Sequence, residues 1–196
     1  MLINGGERPA PVETSPAPEH TVTGPLQNRG RALLVVTDAS SRVQLTLANI
    51  PGLLYRITTP AGSGLTPRVT SSGGVVRAAL LPTGADGPDE VRIVLNRGVR
   101  WDIRLPAGAG EQRLDLTRGR VTRLEVGASG LVELRLPRPV GTVPLTLTGG
   151  VGRLAVSAPR SVPIRLNRPS PARNRYVLRA CAPVGILAVH RTDGPG

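Results

Sequence analysis

Seven apolar–x–apolar triplets recur along the second half of this chain at nearly constant intervals. They begin at Ile103, Leu114, Leu124, Leu134, Leu145, Leu154 and Ile164, so the successive spacings are 11, 10, 10, 11, 9 and 10 residues. Each triplet alternates with period two, the mark of a strand with one buried face. Sandwich and barrel strands also recur at roughly 8–12 residues, but their loops vary more in length. Even spacing of near-identical units predicts coils stacked one on another, a β-solenoid.

If two triplets make a coil of about 20 residues, alternate triplets stack about 4.8 Å apart. The outward middle residues of one face then run Arg104, Glu125, Thr146, Arg165, and those of the other run Asp115, Arg135, Ala155. This register sets Arg104 over Glu125 and Asp115 over Arg135, opposite charges in both cases. An exposed pair of this kind contributes about 0.2–1 kcal/mol, so it specifies register more than it adds stability. The flanking Leu, Val and Ile form inward ladders.

The rest of the chain agrees. From about residue 31, runs such as RALLVVTD, RVQLTLANI, EVRIVL and VRWDIRL are strand-length, aliphatic and bounded by Gly, Pro, Asn or Asp. No window sustains an i, i+3, i+4, i+7 stripe, and 20 prolines would interrupt any long helix. With no Phe, one Trp and two Tyr, the core must be narrow and aliphatic. Trp101, alternating with Ile103, reads as a core or corner residue. The expected fold is all-β, a single-domain β-solenoid over residues 26–196. Residues 1–25 are rich in Pro, Glu, Ser and Thr without apolar periodicity and read as a disordered tail or linker. That opening has no apolar h-region, so it does not read as a signal peptide. NRPSPARNR (167–175) interrupts the rhythm, and YVLRACAPVGILAVH closes the far end, whose strand edges offer a route to self-association.

The charge is +12, and all 25 basic residues are Arg. No acid lies between Glu133 and Asp193, while ten arginines do. From that stretch Arg135, Arg153, Arg165, Arg168, Arg173 and Arg175 are candidate polyanion-binding residues, because an uncompensated basic surface attracts anionic polymers. Specific nucleic-acid recognition is not expected, since interleaved aromatics are lacking.

Catalytic signatures are absent. His20 and His190 lie near opposite ends of the chain, against a histidine triad or a multi-histidine metal site. Cys181, among small apolar residues, reads as buried filler. Gly127-Ala128-Ser129-Gly130-Leu131 has Leu where a nucleophile elbow needs Gly, and GGVGR (149–153) lacks the Lys and Ser/Thr of a phosphate loop. The acids within or directly beside the triplets are Asp102, Asp115, Glu125 and Glu133, and Asp115 and Glu125 fall on different faces. No catalytic, cofactor or metal site is assigned. No apolar run reaches the roughly 18–20 residues of a membrane-spanning helix.

VRWDIRLPAGAGEQRLDL, VELRLPRPVGTVPLTLTGGVGRLAVSAPRSVPIRL and RYVLRACAPVGILAVHR resemble the toastrack, or adhesin-like, β-solenoid domain of actinobacterial cell-envelope proteins. The resemblance covers about residues 30–192 and rests on glycine, proline and aliphatic patterns. It implies a right-handed coil displayed outside the membrane by a nearby anchor, with roles in surface interaction or envelope-stress sensing. Two departures are the lack of a membrane helix and the brief NRPSPARNR where relatives have a longer glycine-rich segment. The function expected is therefore a non-catalytic envelope interaction, scaffold or sensing module, its partner a protein or an anionic polymer. The alternatives are a cytoplasmic bactofilin-like filament former, a polyanion-binding module, and a β-helical polysaccharide-active enzyme.

Overall fold

The computed structural model describes residues 19–166 and 173–193. Among them, sixteen strands form two eight-stranded sheets. The strands are β1 (His20–Pro25), β2 (Arg31–Val36), β3 (Ser40–Ala48), β4 (Leu53–Thr59), β5 (Leu65–Ser72), β6 (Val75–Pro82), β7 (Glu90–Asn96) and β8 (Arg100–Leu105). They continue with β9 (Ala109–Asp115), β10 (Arg120–Val126), β11 (Ser129–Arg135), β12 (Thr142–Leu147), β13 (Val151–Pro159), β14 (Ile164–Leu166), β15 (Arg175–Ala180) and β16 (Val184–Thr192). One sheet has the order β1-β4-β7-β3-β9-β11-β13-β16 and the other β14-β15-β12-β10-β8-β2-β6-β5. The protein is an all-β solenoid.

Each coil contributes one strand to each sheet, and neighbouring coils pair in parallel. Leu34, Ile103, Leu124, Leu145 and Leu178 stack along one inner face, and Leu45, Leu114, Leu134 and Val156 along the other. All nine are almost wholly buried, so the interior is a continuous aliphatic core filled from both walls. A glycine recurs beside this ladder for a steric reason. A Cβ on Gly110, Gly130, Gly152 or Gly185 would meet a carbonyl oxygen of the adjacent coil at 2.5–2.9 Å.

The expected register holds for Arg104 against Glu125 and for Asp115 against Arg135. Elsewhere it slips. Ser157, not Ala155, stacks on Arg135, and Ala155 lies beside Glu133, because this coil is two residues longer than the repeat predicts. Arg179, not Arg165, stacks on Thr146, since β14 lies outside β15 at the sheet edge. The first half of the chain is also not in stacking order. The β6/β7 coil lies outside the β2/β3 coil, and the chain then returns across it to β8.

That excursion builds a cap. β5 pairs antiparallel with β6, β4 with β7, and β1 with β4. The edge strands β1 and β5 carry Pro25 and Pro67, which limit further pairing at this end. The tail boundary moves accordingly: His20–Pro25 is a paired strand, not part of a tail ending at residue 25, and residues 1–18 lie outside the described residues. At the other end, Leu187 and Val189 of β16 stack on inward Leu154 and Val156 yet are 39% and 44% exposed, because β16 is the last strand of its sheet. Cys181, expected to be buried, is exposed in the turn between β15 and β16 for the same reason: this is the end coil.

Candidate functional site

On the middle coils, opposite charges meet from coil to coil. On β3 and β9, Arg42 reaches Glu90 at 3.6 Å and donates from Nε to Glu111 at 2.9 Å. Arg113 donates to Glu111 and lies 3.6 Å from Glu133. In the other sheet Arg104 grips Asp102 through two hydrogen bonds, at 3.0 and 3.2 Å, and faces Glu125 across the ladder. Hydrogen bonding to Glu111 holds the Arg42 guanidinium more firmly protonated. For Glu111, burial disfavours the charge, but the hydrogen bonds from Arg113 and Arg42 outweigh it and keep the carboxyl below its ordinary range.

A lowered folded-state value stabilises the fold above the unfolded carboxylate pKa, about 4.3, and the contribution vanishes as pH falls through the folded value. Glu111→Gln should therefore lower the urea midpoint at pH 7, with the gap to wild type closing in a titration carried below about pH 4. A gap independent of pH would contradict the network.

One edge of the solenoid breaks the alternation. At the leading ends of β2, β8 and β10, Arg31 pairs in register with Arg100, and Arg100 with Arg120. All three are exposed, and adjacent strands place them about 4.8 Å apart. Like charges directly opposed destabilise a sheet. Among the described residues, no ion pair to an acid is formed by Arg31, Arg100 or Arg120, nor by Arg97, Arg118 or Arg138 in the turns beside them.

The turns that carry these arginines are held from below. The Trp101 indole donates to the Asn96 carbonyl at 3.0 Å, and Asn96 Oδ1 accepts from Gly98 N at 2.9 Å, fixing the turn of Arg97. Gly119 N donates to the Leu116 carbonyl, and Asp115 accepts from Thr117 N and Oγ1, fixing the turn of Arg118. The loop of Arg138 is held by the buried Tyr176 hydroxyl donating to the Pro137 carbonyl at 2.8 Å and by Gly141 N donating to Asn174 Oδ1 at 2.8 Å. Burial pushes the Tyr176 phenol pKa up, so it stays protonated as a donor. Between turns and loop runs an open groove of about 990 Å³ lined by Arg97, Arg118, Arg120, Arg135 and Arg138. Asp115 is the one acid in its lining, and Arg135 lies 3.9 Å from it. Arg120 and Arg138 also line a smaller adjoining hollow with Arg100.

With this geometry, similarity to known proteins is informative about the fold. The chain is similar to a "putative cell adhesion protein" from Clostridium sporogenes ATCC 15579, with a TM-score of 0.64 and 15% identity over 89% of this chain and 99% of that one. The two share one fold. A "putative adhesin" from Bacteroides fragilis NCTC 9343 is more distant, with a TM-score of 0.35 and 7% identity over 88% of this chain and 97% of that one. No family model matches the chain, and no curated protein matches its sequence.

The arginines singled out from sequence are not gathered in one place. Arg135 lies at the end of β11 and lines the groove. Arg153 is on β13 beside Leu131 and Ile186, in the sheet opposite Arg165 on β14 and Arg175 at the start of β15. Arg173 precedes β15, and Arg168 lies outside the described residues. Sequence reasoning missed Arg31, Arg97, Arg100, Arg118, Arg120 and Arg138, five of which lie before the acid-free stretch. The available signal was the recurrence of Arg at strand starts and turns, as in NRGVR (96–100) and TRGR (117–120).

The four acids singled out from sequence do not converge, and Glu111, a fifth acid in the stack, is held by Arg42 and Arg113. Asp102 and Glu125 belong to one sheet and Asp115 and Glu133 to the other, and each has an arginine across or along its ladder. His20 and His190 lie on β1 and β16, the two opposite edges of one sheet. Among the described residues no group of three metal-ligating side chains forms, and no helix is long and apolar enough to cross a membrane.

Proposed function

We propose that the protein is a non-catalytic interaction module of the cell envelope, working by surface contact through its coil edges and sheet faces. The observation that carries this reading is the match to the Clostridium sporogenes protein over nearly the whole of both chains. The interior supports it. Aliphatic side chains fill the coils from both walls, so the chemistry available to a partner lies on the outer surface. The dispersed, arginine-paired carboxylates favour a scaffold over a polysaccharide-active enzyme, which needs clustered acids.

The test is fractionation of cells expressing the gene at its native length, followed by protease treatment of intact cells. Envelope association with cleavage from outside is expected. Full protection in the cytosol would contradict the envelope reading.

A further inference from the structure

We infer that the arginine edge is a binding site for a linear, base-free polyanion, whose anionic groups are phosphate, sulfate or carboxylate, lying along the solenoid axis. The inference rests on the interaction reading above and names the ligand class.

The decisive contrast lies within one molecule. On the sheet faces, Arg42, Arg104, Arg113 and Arg135 each have an acid on or beside the adjacent strand, so stacking is favourable. At the edge, Arg31, Arg100 and Arg120 repel one another in register, with Arg97, Arg118 and Arg138 alongside. Such an arrangement costs stability by itself, and an anion lying across it removes the repulsion. Guanidinium forks suit phosphate, sulfate and carboxylate oxygens alike. Hydrogen bonds hold the turns in place, so little ordering is needed when a ligand arrives.

The direction and type of ligand follow from the same geometry. The row crosses adjacent strands, so its charges repeat along the stack at about 4.8 Å, and a ligand meeting all of them must be extended. Nucleic-acid single strands are bound by stacking bases on aromatic side chains. Here the chain's one Trp and two Tyr are all buried, Trp101 and Tyr176 at 0% and Tyr55 at 4% exposure, and there is no Phe. The edge therefore offers charge but no aromatic platform for bases.

The experiment uses the full chain and fluorescence anisotropy with three labelled probes of matched charge: polyphosphate, heparin and single-stranded DNA. Two triple variants are compared with wild type. Arg100→Gln/Arg120→Gln/Arg138→Gln removes three of the six edge arginines, and Arg153→Gln/Arg165→Gln/Arg173→Gln removes the same charge elsewhere, with circular dichroism confirming that both fold. Polyphosphate or heparin should bind wild type, and the edge variant should bind about ten-fold or more weakly, with a salt slope lower by about two to three. The second variant should stay within about two-fold of wild type. Preference for polyphosphate over heparin, or the reverse, separates phosphate from sulfate and carboxylate and supports the site equally. Equal losses in both variants would overturn the proposal in favour of net charge alone. Tighter binding of DNA than of either base-free polymer would overturn it in favour of nucleic acid. No binding to any probe by a protein that is retained at the envelope would overturn the ligand class and leave the interaction reading in place.

Discussion

Trp101→Ala is expected to destabilise the protein by about 3–5 kcal/mol. Trp101 is the chain's one tryptophan and is fully buried. Its backbone neighbours across the sheet are Ala32 and Val121, both small, so its indole supplies the bulk at this corner of the interior. Truncation leaves a cavity, and the parallel ladders that join β8 to β2 and β10, the latter with one irregularity at Thr122, resist collapse into it. It also leaves the Asn96 carbonyl without its indole donor, loosening the turn that carries Arg97. Urea denaturation followed by circular dichroism measures the loss, since the variant has no tryptophan fluorescence. A change below about 1 kcal/mol would show that this corner is not the close-packed wall described here. Trp101→Phe should fall between, retaining apolar volume but not the hydrogen bond.

The second large effect is expected for Gly108→Ala. Gly108 has φ +77°, where a side chain is strained by about 1–2 kcal/mol. Its added Cβ would also meet the Ala128 carbonyl oxygen at 2.1 Å and the Ala128 amide nitrogen at 3.0 Å, both backbone atoms of the next coil. Neither atom can rotate away, so the coils must separate locally, at a further cost of about 1–3 kcal/mol. Gly141→Ala isolates the first contribution, because Gly141 has φ +75° with open space around its Cβ position. The Gly108 variant should be the less stable of the two by about 1–3 kcal/mol in the same urea titration. Equal losses would mean that the coils slip apart freely at this corner.

The regular half of the molecule was readable because strand period and coil length are local properties. Ile103, Leu124 and Leu145 stack as their spacing predicts, and the opposite charges at Arg104/Glu125 and Asp115/Arg135 specify the same register. The departures come from connections of unequal length. The connection between β11 and β12 contains Pro137–Gly141, and the next strand pairs Leu134 with Val156, so Ala155 moves off the predicted row. The short spacing of nine between Leu145 and Leu154 falls at this step: Leu154 and Val156 of β13 are both fully buried, and it is Val156 that stacks on Leu134. The placement of β14 outside β15 was hidden because the strand's own pattern is indifferent to which edge it joins.

The candidate site was less legible than the fold. Counting charge along the chain pointed to the acid-free stretch after Glu133, where arginines are dense in sequence. In space those arginines are divided between two sheets, because successive strands of a coil alternate between walls. The edge arginines come from separate connections that share one side of the solenoid.

From the amino-acid order alone follow the all-β class, the coil of about twenty residues, the aliphatic interior and two of the charge pairs. These depend on side-chain alternation and turn residues within short windows. The tertiary structure alone decided that β6/β7 lies outside β2/β3, which brings Arg31 beside Arg100 across 69 residues of sequence. It also decided that Arg120 completes the row. Stacking order is set by which strand edges are left to pair and which are capped, a property of the whole assembly that no single strand contains.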